Sequence, residues 1–221
     1  MDIPRFDPLH QCIAFGPLVV YLLILGMINL GRRPFLTTGA RDTAVLGIAI
    51  SGFIAAGPME LFLPEGAANL FGGWIWALLL TFYLLCLLLV VLLMRPRLVI
   101  YNVTFEQLRP ALADVVSRLD DHARWAGESL SMPTLGLQLT VEPMAVMKSV
   151  QLVSAGPYQN IAGWRRLEEE LAAELKQSRG LPNPYGVFLL SFALCLGGAV
   201  LFWMSRDPAG VTQALNDMLR R

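Results

Sequence analysis

Charged side chains are scarce in this chain, and one long stretch is almost without them. Of its 221 residues, 15% are charged and 55% are hydrophobic, and the formal net charge is zero. Between Thr43 and Met94 only Glu60 and Glu65 carry a charge. Such a stretch is typical of helices that face lipid and not of a water-soluble surface. The basic clusters of nucleic-acid-binding proteins are also missing, so we expect no nucleic acid partner.

Cysteine is rare as well, and known chemical motifs are missing. The three cysteines, Cys12, Cys86 and Cys195, fall in or beside different apolar runs. Their spacing fits no zinc site, redox pair or disulfide framework. No phosphate-binding loop or nucleophile elbow occurs, and His122 beside Asp120 is a pairing that is common at helix ends. The sequence therefore predicts no catalytic residue, cofactor or metal, and it favours a protein that is not an enzyme.

Four long apolar runs stand out in what is present. They cover residues 13–30, 44–63, 74–94 and 187–204. Each is close to the roughly 20 residues with which a helix crosses a bilayer. We therefore expect three transmembrane helices within residues 1–94 and a soluble domain at residues 95–184. The fourth helix and a short amphipathic tail should follow at residues 185–221.

The positions of the basic residues predict an orientation. Three arginines lie between the first two apolar runs, and two more follow the third run directly. Because Lys and Arg are enriched in cytoplasmic loops, this favours a multi-pass protein of the cell membrane with its amino terminus outside and residues 95–184 in the cytoplasm. Arg206, Arg220 and Arg221 oppose this orientation, since it puts the tail outside.

The second and fourth runs contain small residues at intervals of four. The residues concerned are Gly47, Ser51 and Gly52 in the second run and Ser191, Cys195 and Gly197 in the fourth. Small residues allow two helix backbones to approach closely within a membrane. The spacing predicts that these two helices form the packed centre, although small residues are frequent in membrane helices in general.

Polar residues inside the apolar runs are the candidates for function. Glu60 is the only acid within the runs, and the predicted orientation puts it on the same side as Asp7 and His10. These three residues could bind a cation or relay a proton, or Glu60 could simply lie among the lipid headgroups. Asn29 has a similar pair of interpretations: it bonds across helices, or it marks the end of the first helix before Gly31.

Residues 95–184 change in period from long apolar runs to short amphipathic elements. Their pattern predicts the order β-α-β-β-β-α, an antiparallel sheet covered on one side by two helices. Thr104 and Gln107 form a capping box at the start of the first helix. Pro110 implies either a bend or a regular helix that starts near Arg109. Residues 135–142 alternate between apolar and polar, which indicates a strand with one buried face. Its open face should carry Gln138, Thr140 and Glu142, with Ser149 and Gln151 beside them.

These observations predict an integral membrane protein that displays a small cytosolic α+β domain as an interaction, assembly or sensory module. Its partners would be the lipid bilayer and either a second protein or further copies of the chain. In a sensory version, a ligand at the outer loops would move the helices and so the domain. The alternative is transport of a small solute or proton, or catalysis within the membrane, centred on Glu60.

Overall fold

The computed structural model describes residues 8–59, 74–144, 148–157, 159–178, 183–206, 208 and 210–213. Contacts divide the chain into two compact units. The helix unit comprises Met1–Ile24, Ala44–Leu92 and Leu189–Arg221, and the sheet unit comprises Leu25–Thr43 and Leu93–Phe188. The sheet unit therefore contains the ends of several long helices in addition to the polar segment.

The described residues form six α-helices and six strands. The helices are α1 (Pro8–Leu30), α2 (Gly39–Ile54), α3 (Trp74–Leu93), α4 (Phe105–Leu119), α5 (Ile161–Leu175) and α6 (Tyr185–Arg206). A π-helical turn, Ala55–Met59, continues α2. The strands are β1 (Phe35–Thr38), β2 (Arg97–Tyr101), β3 (Arg124–Ala126), β4 (Ser129–Met132), β5 (Leu137–Met144) and β6 (Ser149–Ser154).

Four of the helices are long and apolar enough to cross a membrane. They are α1, α2 with its π-helical turn, α3 and α6. This confirms the predicted number of membrane-length helices. Helix α2 begins at Gly39, five residues before the apolar run, because the Thr38 hydroxyl accepts a hydrogen bond from the Arg41 amide and caps the helix. The polar first turn hid this start, and residues 60–63 of the predicted run lie outside the described part of the chain.

The strands form one antiparallel sheet in the order β1-β2-β6-β5-β4-β3. Helices α4 and α5 pack their apolar sides onto one face of it, and the core between them is fully buried, with Leu108, Leu139 and Leu167 each at 0% exposure. The predicted α+β architecture of this segment is thus present. Its strand count is corrected, because two further strands join the four that the sequence predicts.

Both additional strands are too short to show a pattern in the sequence. Strand β3 has three residues, all exposed, so no alternation marks it. Strand β1 lies between α1 and α2, outside the polar segment, and pairs with β2 from Phe35 opposite Tyr101 to Thr38 opposite Leu98. Only this long-range pairing makes residues 35–38 a strand, and the first interhelical loop thereby becomes part of the sheet.

Local predictions in the sheet unit can be checked residue by residue. Thr104 and Gln107 form the capping box, and α4 runs without interruption from Phe105 through Pro110, so its regular part does not start near Arg109. In β5 the predicted alternation is confirmed: Leu137, Leu139 and Val141 are buried. Ser149 pairs with Met144 on the same face as Glu142, as predicted, but it is buried at 4% exposure.

Candidate functional site

Three buried asparagines meet within the sheet unit, beside the end of α1 and the start of α6. Asn29, Asn102 and Asn183 are 2%, 1% and 0% exposed. Asn29 lies in the last turn of α1, Asn102 follows β2, and Asn183 precedes α6 by two residues. Because a buried amide without hydrogen bonds is costly, the partners of these side chains determine what the cluster does.

Asn102 caps the end of α1 from a different part of the chain. Its φ of 62° is in the left-handed region, which Asn adopts more readily than most residues. The side-chain Nδ2 donates to the carbonyl oxygens of Ile28 at 2.6 Å and Gly31 at 2.8 Å. The last carbonyls of a helix have no partner within the helix, so this side chain satisfies groups that would otherwise be left open.

Asn183 connects the start of α6 to the same helix end. Its amide nitrogen donates to the main-chain oxygen of Asn29 at 3.0 Å, and its Nδ2 donates to Asn29 Oδ1 at 3.2 Å. Its Oδ1 in turn accepts from the amide of Tyr185 at 3.2 Å and caps the first turn of α6. Asn29 also donates to Leu25 O at 2.8 Å. Asn29 therefore lies near the helix end, as one interpretation predicts, and it bonds to the segment before α6 and not to a second helix.

Close backbone packing accompanies these hydrogen bonds. Gly186, in the first turn of α6, lies directly against the last turn of α1. A Cβ atom at this position would come within 2.9 Å of the amide nitrogen of Leu30 and within 3.0 Å of the carbonyl oxygen of Gly26. Only glycine leaves room for this approach, and the two helix ends are therefore held by contact as well as by hydrogen bonds.

The first turn of α2, which belongs to the sheet unit, makes a second set of contacts within this unit. The Tyr101 hydroxyl donates a hydrogen bond to Asp42 Oδ1 at 2.8 Å, and Arg97 Nη2 donates one to Thr43 Oγ1 at 3.2 Å. Arg41 forms a salt bridge of 3.0 Å with Glu168 on α5. We call these contacts and the asparagine cluster together the junction. Through it, the ends of α1, α2 and α6 are attached to the sheet and its helices.

Sequence reasoning found only one member of the asparagine cluster. Asn29 stands out as a polar residue in an apolar run, whereas Asn183 lies between two prolines and looks like part of a linker. Asn102 precedes a capping box, and that position between a strand and a helix was the only available signal. Their convergence depends on contacts between residues more than 70 positions apart, which local patterns do not report.

The predicted acidic site is only partly within the described residues. Glu60 and Asp7 lie outside them. His10 lies in the first turns of α1 and is half-buried. Among the residues that the structure describes, no three His, Cys, Asp or Glu side chains are grouped so as to hold a metal ion.

The predicted helix-packing residues divide between different neighbours within the helix unit. A side chain at Gly52 would collide with the carbonyl oxygens of Ile13 and Ala14, and one at Gly47 would collide with Leu87. The Tyr83 hydroxyl donates to Gly47 O at 2.7 Å. In the described residues, the glycines of α2 thus contact α1 and α3.

The small residues of α6 are placed less uniformly. Gly197 faces Val19 of α1, with a Cβ atom at this position lying 3.2 Å from Val19 Cγ1. Ser191 and Cys195 are exposed. Ser51 of α2 is half-buried, and its hydroxyl bonds within its own helix to Ile48 O. Among these α6 residues, Gly197 therefore lies against another described helix, whereas Ser191 and Cys195 are exposed.

Asp120 forms the most connected carboxylate in the described part of the chain. Its Oδ1 accepts from the Thr134 hydroxyl at 2.8 Å and from the His122 amide at 2.9 Å, and its Oδ2 accepts from the Thr134 amide at 2.8 Å. Burial of the carboxyl group opposes ionisation, but these hydrogen bonds outweigh it and lower the pKa of Asp120 below its ordinary value. These contacts join the turn after α4, through His122, to the turn between β4 and β5, through Thr134, so the carboxylate stabilises both loops.

A shallow groove of about 900 Å³ lies beside the start of α5 and the turn between β4 and β5. Two polar side chains of its lining, Gln159 and Asn160, form hydrogen bonds within the protein. Gln159 donates to Gln138 O and Ala155 O and accepts from Trp164 Nε1, and Asn160 Oδ1 accepts from the Ala162 amide. These side chains hold the α5 start in place, and none is positioned as an acid, base or nucleophile.

Comparisons with known proteins add no family to this description. A scan against protein-family models, a search of curated proteins and a search of solved structures each gave no significant match.

Proposed function

We propose that this chain is a membrane-anchored interaction module, without enzymatic activity, that presents its α+β domain to a protein partner or to a second copy of the chain. The junction is the observation that supports this most strongly. Here β1 and the buried asparagines attach the domain to the ends of three apolar helices.

An ordered binding surface suits the presentation of the domain to a partner for a physical reason. Binding to a partner in the same membrane costs less free energy when the binding surface is already ordered. The sheet has one face covered by α4 and α5, while Gln138 and Glu142 on its other face are exposed. We propose this open face around β5 as the surface that meets the partner.

The same attachment also supports a sensory version of this function. Asn102, the residue after β2, bonds to the end of α1, and Asn183, just before α6, bonds to Asn29 of α1. A displacement of either helix end would therefore alter the support of the sheet. The positions of the arginines favour a cytoplasmic location for the domain, with the amino terminus outside. Both statements extend the interaction proposal.

Photo-crosslinking in native membranes tests the interaction proposal. A photoreactive residue would replace Glu142 or Gln138 on the open face of the full-length chain, and matched controls would carry it at Arg165 on α5 or at Leu92 on α3. We expect the open-face positions, but not the controls, to give one discrete adduct. An adduct of twice 24.4 kDa would identify a second copy.

The crosslinking result would contradict the proposal if the open-face positions gave no discrete adduct, or if all four positions gave the same products. Combining the Glu142 probe with Asn102→Ala tests the role of the junction. The adduct yield should fall, whereas Asn160→Ala, which removes a helix cap inside the domain, should leave it nearly unchanged.

A further inference from the structure

A second feature of the sheet unit is a group of arginines without partners beside β1. Arg32 and Arg33 follow the end of α1, and Arg95 follows the end of α3. All three are exposed. In the described part of the chain none of them has an ion pair, whereas Arg41 pairs with Glu168 and Arg118 pairs with Glu174.

The strand pairing sets the arrangement of these three residues. Arg33 precedes β1 by two residues and Arg95 precedes β2 by two residues, and the two strands are antiparallel. The pair Arg32 and Arg33 therefore lies at one end of β1 and Arg95 at the other. A strand of this length spans on the order of 10–15 Å, so positive charge brackets the strand.

The neighbouring acids do not neutralise this charge. Asp42 is the only acid between α1 and β2 among the described residues, and it accepts a hydrogen bond from the Tyr101 hydroxyl. Glu168 is engaged by Arg41. Exposed apolar side chains flank Arg32 and Arg33 in the chain: Leu30 and Phe35 are 43% and 44% exposed. The surface thus combines unpaired guanidinium groups with exposed apolar groups at the ends of membrane-length helices.

We infer that Arg32, Arg33 and Arg95 form a binding surface for the phosphate groups of anionic phospholipids in the leaflet next to the sheet unit. Guanidinium groups bind phosphate through paired, charge-assisted hydrogen bonds. The exposed Leu30 and Phe35 side chains fit the boundary between headgroups and acyl chains. The inference deepens the proposed membrane anchoring by naming the lipid class, and it rests on that anchoring.

Lipid selectivity in nanodiscs tests this inference with the full chain. The protein would be reconstituted in phosphatidylcholine, and its association with spin-labelled phosphatidylglycerol would be compared with that of spin-labelled phosphatidylcholine. Since each surface arginine adds a roughly fivefold preference for anionic lipid, Arg32→Gln, Arg33→Gln and Arg95→Gln should each lower the selectivity by about that factor. The triple variant should show almost none, and added salt should weaken the selectivity of the natural chain.

The control variant carries Arg109→Gln, Arg165→Gln and Arg166→Gln, which remove the same charge from exposed positions on α4 and α5. It should keep the selectivity. Equal thermal unfolding of all variants in neutral nanodiscs verifies that they fold, and a failure to reconstitute at all would count against the membrane anchoring instead.

Three results would overturn the inference: selectivity that survives in the triple variant, an equal loss in the control variant, or displacement of the labelled lipid by inorganic phosphate. The last result would identify a free anion, and not a lipid headgroup, as the ligand.

Discussion

Different interactions stabilise the inside of the helix unit and the inside of the sheet unit. In the sheet unit, large apolar side chains of β5, α4 and α5 are removed completely from solvent. In the helix unit, large apolar side chains face outward, and Leu92 of α3 is 71% exposed. The proposed membrane location of the helix unit would account for the difference, since water drives apolar groups into a core whereas lipid does not. Cohesion in the helix unit depends instead on close packing at two glycines, with Gly52 against the backbone of α1 and Gly47 against the Leu87 side chain.

The largest effect that distinguishes the two units should come from truncating a leucine. Leu139→Ala in β5 removes a side chain with 0% exposure and should destabilise the sheet unit by about 2–5 kcal/mol. Leu92→Ala in α3 should change stability by far less, because no core contains that side chain. Denaturant unfolding of the solubilised chain, followed by near-UV circular dichroism, measures both. Similar losses for the two variants would refute the contrast.

A glycine substitution should instead have its larger effect on the stability of the helix unit. Gly52→Ala places a methyl group against the carbonyl oxygens of α1, so we expect a loss of about 1–3 kcal/mol in the helix unit as the helices move apart. Gly198→Ala is the matched control, because nothing lies within 4 Å of a Cβ atom there. It should be neutral or stabilising. Thermal unfolding in detergent compares them, and an equally tolerated Gly52→Ala would show that the close approach is unimportant.

A pH effect should be confined to the sheet unit. The pKa of Asp120 is lowered in the folded chain, so its ionised form stabilises the fold at pH values above about 3.9, the ordinary Asp pKa in an unfolded chain. This contribution disappears as the pH falls through the lowered pKa. Asp120→Asn should therefore be less stable at neutral pH and lose less stability on acidification. Unfolding midpoints from pH 7 to pH 3 test this. Parallel pH profiles for both chains would contradict it.

The smallest expected effect concerns the ion pair of the junction. Arg41 and Glu168 lie 3.0 Å apart, but the arginine side chain is 72% exposed. Water and salt screen such a pair, and a double-mutant cycle with Arg41→Gln and Glu168→Gln should give a coupling of about 0.2–1 kcal/mol. A much larger coupling would show that this pair is the main attachment of α2, ahead of the Tyr101–Asp42 and Arg97–Thr43 hydrogen bonds.

The two units also differ in how far the sequence predicts them. Long apolar runs are a local signal, so the four membrane-length helices could be read directly, and the same is true of the alternating β5 strand and the capping box at Thr104. Strands β1 and β3 could not, because four or three residues carry no period and only distant pairing defines them. The contacts of Gly47, Gly52 and Asn183 were hidden for the same reason, since a residue's own type does not name its partner.

The account depends most on the junction, and hydrogen exchange measured by mass spectrometry tests it most directly. In Asn102→Ala, the end of α1 loses its cap, so amides in residues 25–38 should exchange faster while those of β4 and β5 keep their protection. Asn160→Ala should instead affect only the start of α5. Unchanged exchange at residues 25–38 in Asn102→Ala, or faster exchange throughout the sheet unit, would contradict the claim that this asparagine specifically fastens α1 to the sheet.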